Sequence, residues 1–148
     1  MPETLVADVP SAIAHKGRIL VIDDEADIRE SLETLLSLEG YSVELAQSAN
    51  EGLRKVESGN YDLILLDLMM PDRSGMEVLR EVRQRDRETP IFMLTAYGSV
   101  ERAVEALKLG ANDFIPKVGE NDKLLIEIDR EIARKRLESE NTPMRMAD

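Results

Sequence analysis

The chain has 148 residues, 19 of them basic and 30 acidic, a net charge of −11 and no cysteine. That length suits one domain with a full core, and the lack of cysteine excludes disulfides, thiolate metal sites and cysteine nucleophiles. The acidic balance argues against direct nucleic-acid binding by this chain.

No apolar run approaches the roughly 20 residues that span a bilayer. The start, MPETLVADVPSAIAHKG, lacks the basic and apolar regions of a signal peptide. A cytoplasmic protein with no membrane partner is therefore expected. Residues 1–16 mix proline, alanine and small polar residues without a period and read as a flexible tail. His15, the sole histidine, falls there without ordered partners and is given no role.

From Arg18 a short apolar run followed by a segment of helical spacing recurs five times, the signature of βα units and a parallel sheet. The runs are RILVID (18–23), SVELA (42–46), LILLD (63–67), PIFMLT (90–95) and DFIP (113–116). The first, third and fourth are continuously apolar, as central strands covered on both faces are, whereas the second alternates like an edge. Between them, Ile28, Leu32, Leu35 and Leu36 form one helical stripe, and Val78, Leu79 and Val82 another. Gly40, Gly59 and Gly110 each follow a periodic segment, where helix ends favour glycine. The expected architecture is an α/β, doubly wound, five-stranded parallel (βα)5 sheet with a long last helix. The expected divisions are a tail at 1–16, a core at 17–122, the last helix with its extension at 123–140 and a flexible end at 141–148.

In such sheets ligands sit beyond the carboxyl ends of the strands. Those ends carry Asp23, followed by Asp24 and Glu25, then Asp67 and Thr95, with Lys117 directly after the fifth strand. Singly, Asp23, Asp24 and Thr95 also suit helix caps, and Lys117 suits solvent. Capping does not account for their convergence in one layer, nor for a carboxylate that ends the most apolar run of the chain. Three clustered carboxylates repel one another, and a hard divalent cation, Mg²⁺ or Mn²⁺, relieves that repulsion. The expected arrangement has Asp24 and Asp67 as direct ligands and Asp23 acting through water. Lys117 and Thr95 are available to anionic oxygens arriving there. Such a site suits phosphoryl transfer to a carboxylate, giving an aspartyl phosphate.

The segments VIDDE, LILLDLMMPDRSG, LTA and FIPK, in this order, resemble the receiver domain of two-component response regulators, from about Lys16 to Asp122. The resemblance implies a flavodoxin-like strand order of 2-1-3-4-5, for which a receiver is itself a standard example. It also implies that Asp67 takes a phosphoryl group from the phosphohistidine of a sensor histidine kinase and that the Met69 backbone carbonyl completes the metal site. Thr95 then follows the phosphate, and Phe114 occupies the aromatic switch position. Phe114 also suits a core aromatic of the fifth strand.

Val118 stands where the family usually has proline. A cis bond there costs about 2.5–4 kcal/mol, so a trans bond and a rerouted loop around Gly119 are expected. Met69 and Tyr97 lie two residues past Asp67 and Thr95, at the positions that tune dephosphorylation in the family. Bulk at both predicts a long-lived phosphate.

The last helix, NDKLLIEIDREIARKRLESE, carries two stripes: Leu124, Leu125, Ile128 and Ile132 to cover the sheet, and Ile126, Ala133 and Leu137 nearly opposite. The second stripe suits either a short coiled coil with another chain or a helix end that frays after Arg136. Together with TAYGSVERAVEALKLGANDF, this extension resembles receivers of enhancer-binding, NtrC-type transcription activators, which implies transcriptional control and a homodimer formed on phosphorylation. Two rival readings are a degenerate receiver that binds partners without phosphorylation and a haloacid-dehalogenase-like phosphatase. The phosphatase requires a second Asp two residues after the nucleophile, where this chain has Met69.

Overall fold

In a computed structural model of the chain, the residues described are 16–96, 100–117, 119 and 121–147, with the side chains of the last helix described through Glu138. Strands β1 (Arg18–Ile22), β2 (Ser42–Ala46), β3 (Leu63–Asp67), β4 (Ile91–Thr95) and β5 (Asp113–Pro116) alternate with helices α1 (Ala26–Leu38), α2 (Ala49–Ser58), α3 (Gly75–Arg85), α4 (Val100–Leu109) and α5 (Asn121–Ala147). The strands form one parallel sheet in the order β2-β1-β3-β4-β5, the expected doubly wound fold. Its centre, β3 and β4, is buried throughout, while β2 at the edge is mostly half-buried, as its alternation predicts.

Successive strand residues feed opposite layers. Ile19, Val21, Leu63, Leu65, Phe92, Leu94 and Ile115 pack with Leu32 and Leu36 of α1 and with Leu124, Ile128 and Ile132 of α5. Leu20, Ile22, Ile64, Leu66, Ile91 and Met93 pack on the other face with Val78, Leu79 and Val82 of α3 and Ala106 of α4. The helical stripes read from the sequence are therefore the buried ones. Leu125 is partly buried beside its stripe, and the opposite stripe of α5 stays exposed, Ile126 at 55% and Leu137 at 60%.

Three boundaries differ from the sequence reading. β1 ends at Ile22, because Asp23 has left the ladder to begin the site loop, although its N–H still reaches the Ala46 carbonyl at 3.1 Å. β4 begins at Ile91, since Pro90 has no N–H to give a ladder. α5 continues to Ala147, past Glu140 where the sequence pattern fades.

Helices α1 and α4 close alike. Gly40 (φ +100) and Gly110 (φ +113) adopt the left-handed conformation, and the next residue donates back into the last turn, Tyr41 to Leu36 O and Ala111 to Ala106 O. Gly59 also ends a helix but is extended (φ −119). Tyr41, just before β2, further ties this end of the strand to α5, its hydroxyl donating to Asp129 while Lys16 covers its ring. Among the described residues no helix is long and apolar enough to cross a membrane.

Candidate functional site

The sheet register assembles the site. β1 and β3 are aligned Ile22 to Leu66 and β3 and β4 Asp67 to Leu94, so Asp23 and Thr95 flank Asp67 one step beyond the paired rows. Thr95 in turn pairs with Pro116, which delivers Lys117, and the Lys117 N–H is held by the Thr95 carbonyl at 2.8 Å.

Asp23 and Asp67 are buried, at 0% and 2% exposure, and Thr95 is buried beside them. Asp24 is half-buried, and carboxylate oxygens of Asp23, Asp24 and Asp67 lie within 4.8 Å of one another. The Lys117 amine, its side chain almost wholly buried, stands 3.1 Å from Asp23 Oδ2 and 3.3 Å from Asp67 Oδ2 and also pairs with Glu25. Although both Oδ2 atoms are within ion-pair reach of that amine, neither accepts a well-directed hydrogen bond. Two buried, unsatisfied carboxylate oxygens next to a third carboxylate form a donor set that fits a hard divalent cation.

The electrostatics follow from that crowding. Burial, reinforced by the charge of Asp23 and contact with Asp24, pushes the Asp67 carboxyl up to about 7, and burial likewise raises Asp23. Burial disfavours the Lys117 charge too, but Glu25, Asp23 and Asp67 outweigh it and hold the amine above its usual range. Lys117 is thus shared among several carboxylates, and the pocket has a deficit of positive charge.

The loop after Asp67 folds tightly over it. Met69 N–H donates to Asp67 Oδ1 at 3.2 Å, and Gly75 N–H donates to Leu68 O at 2.7 Å. A Cβ on Gly75 would stand 2.1 Å from the Asp67 carbonyl oxygen, so only glycine lets α3 start so close to this strand end. Met69 itself is 61% exposed, its sulfur 3.7 Å from an Arg102 guanidinium nitrogen. Phe114 is half-buried and packs on the α3/α4 layer.

The profile of the response regulator receiver domain matches residues 19–129. The chain belongs to this family. A receiver is a signalling domain rather than an enzyme, and the relatives fit that. The chain is 48% identical over 111 residues to the transcriptional regulatory protein DltR of Streptococcus agalactiae, an alignment that covers 75% of this chain and 50% of DltR. Among solved structures it is similar to TrrA of Thermotoga maritima in complex with Mg²⁺-BeF (TM-score 0.72, 38% identity, 77% of this chain and 97% of that one). It is similar also to NtrX of Brucella abortus (TM-score 0.80, 32% identity, 87% of this receiver and 30% of NtrX). The receiver thus spans about half the length of the curated relatives it matches.

Every candidate site residue is at this edge except Phe114, which lies inside β5 opposite Met93, and Tyr97 and Val118, which, like His15, lie outside the described residues. Asp23 is not a conventional helix cap: its Oδ1 accepts the N–H of Glu25, the residue that itself caps α1 without a side-chain bond. Sequence reasoning missed the pairing of Glu25 with Lys117, and it missed Asp72. The Asp72 carboxylate accepts the N–H groups of Ala49 and Asn50, across the molecule on α2.

Proposed function

We propose that this receiver is a phosphoacceptor in a two-component pathway. A sensor histidine kinase presents a phosphohistidine, and an Asp67 carboxylate oxygen forms the new bond to phosphorus as the phosphorus–nitrogen bond breaks and its electron pair returns to the imidazole. A bound Mg²⁺ or Mn²⁺ supplies charge neutralisation for the carboxylates and the incoming oxygens. Asp24, Asp67 and the Met69 backbone carbonyl are its direct holders, and Asp23 acts through water. Lys117 pairs with the phosphoryl oxygens, and Thr95 donates its hydroxyl to one of them. The observation that carries this reading is the pair of buried, unsatisfied oxygens on Asp23 and Asp67 facing Lys117.

The movement of Thr95 toward the phosphate shifts Phe114 and biases the α4–β5–α5 face between two packings. The output is transcriptional, as the names of the curated relatives suggest, and of the NtrC type, as the likeness to NtrX supports. The phosphorylated form pairs with a second copy.

Intact-mass measurement after incubation with acetyl phosphate and Mg²⁺ tests the core of this reading. One added phosphate, stable to acid and labile to base, is expected. No addition favours a phosphorylation-independent interaction module.

A further inference from the structure

The first turn of α2 exposes three N–H groups to whatever precedes it, and each has an acceptor. Ser48 Oγ takes Glu51 N–H at 3.1 Å, while both oxygens of Asp72 take Ala49 and Asn50 N–H at 3.1 and 3.0 Å. Asp72 is not on α2. It belongs to the loop that follows Asp67, three residues after Met69, and its charge complements the positive end of the α2 dipole. The base of that loop is pinned by Leu68 and Gly75, and its other flank by Arg73, which pairs with Glu77 and Glu81 on α3. Asp72 is thus the fastening between the loop and α2, which follows the β2 strand end beside Asp23.

We infer that Asp72 is a positioning residue for the metal site. By clamping the loop onto α2 it holds the Met69 carbonyl at the depth where, on the reading proposed above, it meets the cation held by Asp24 and Asp67. Without the clamp the segment keeps the Leu68–Gly75 bond, the Arg73 ion pairs and the Met69 N–H bond to Asp67, but loses its tie to α2, and a less firmly held ligand binds more weakly. Linkage makes the effect reciprocal: if the clamp favours the cation, the cation must tighten the clamp.

Calorimetric titration with Mg²⁺ tests this on the parent chain and on Asp72→Asn, Asp72→Ala and Ser48→Ala. The expected order of affinity is parent, then Asn, which retains one acceptor oxygen, then Ala, with Ala weaker by about tenfold, as for loss of other outer-sphere partners. Ser48→Ala removes a cap from the same helix turn without touching the loop, so it should lower the thermal midpoint and leave Mg²⁺ affinity unchanged. In the parent, added Mg²⁺ should slow amide exchange at Ala49 and Asn50. Equal Mg²⁺ affinity in parent and Asp72→Ala, equal weakening by Ser48→Ala, or exchange indifferent to Mg²⁺ overturns the inference while leaving the phosphoacceptor reading standing. A parent chain that binds no Mg²⁺ overturns both.

Discussion

The Lys117 amine lies 3.3 Å from Asp67 Oδ2, yet that oxygen accepts no well-directed hydrogen bond. Lys117 is shared with Asp23 and Glu25, so the neutralisation of Asp67 is incomplete. Replacing Asp67 with Asn should abolish phosphorylation and, in the presence of EDTA, stabilise the fold. A carboxyl raised from 3.8 to about 7 imposes no penalty at low pH, begins to destabilise the fold above the unfolded value, and does so fully above the folded one. The gain should therefore be on the order of 2–4 kcal/mol near pH 8 and vanish toward pH 4. Urea denaturation at the two pH values reads it; equal stability of the two proteins near pH 8 would contradict the burial argument.

Gly75→Ala is expected to be among the most damaging single-methyl additions in the chain. The new Cβ meets backbone at 2.1 Å rather than a side chain that can swing away. Overpacking of that kind costs about 3 kcal/mol at its upper range. A thermal midpoint within a degree or two of the parent would show that α3 can retreat from β3 at little cost.

Met69 is exposed two residues past Asp67 and offers only a weak thioether acceptor; on the phosphoacceptor reading it flanks the path of water to the phosphoryl group. Met69→Asn should accelerate loss of the aspartyl phosphate, by up to about 10²-fold if the amide orients the attacking water. Decay followed on phosphate-affinity gels after removal of the donor measures this. An unchanged half-life removes Met69 from the timing of the signal.

Self-association should increase on phosphorylation and depend on the exposed stripe of α5. Leu137→Glu places a charge in that stripe without touching the buried one formed by Leu124, Ile128 and Ile132. Sedimentation with acetyl phosphate present should show the parent shifting to a larger species and the variant shifting less. Identical profiles for both would assign any dimer to another surface.

Asp86 ends α3, where Thr89 Oγ1 and the N–H groups of Glu88 and Thr89 all donate to its carboxylate. Burial pushes this carboxyl up, but those donors outweigh it and hold it below the usual range. A depressed folded value contributes stability above the unfolded value near 3.9, and that stability is lost as pH falls through the folded one. Asp86→Ala should cost about 1–2 kcal/mol at neutral pH, and the difference from the parent should shrink on acidification to about pH 3. A difference that persists unchanged in acid would assign the loss to packing.

The strands and the residues at their ends were legible because both follow from local rules. An apolar run of five residues followed by Asp or Thr encodes its own place in a parallel sheet, and β2, β3 and β5 match their sequence bounds. What joins the loops was not legible. Asp72 to α2, and the buried Arg83 guanidinium that binds Gly110 O, Asp86 O and Asn112 Oδ1, are contacts between a side chain and distant groups. No period or spacing announces them. Arg83 in particular is a charged residue only 8% exposed. Gly59 differs too: glycine after a helix is a common signal, but the signal does not announce the extended backbone found there (φ −119).

Phe114 and Ile115 are neighbours on β5 but belong to different layers, the ring to the α3/α4 side and the isoleucine to the α1/α5 side. The sheet between them acts as a bulkhead. Phe114 therefore bears on the α3/α4 compartment, while Tyr41 and Asp129 brace α5 in the other. On the phosphoacceptor reading, a partner on α4 sits on the layer that Phe114 packs in, and a partner on the buried-stripe side of α1 is served by the other layer. One sheet thereby offers two separately packed surfaces.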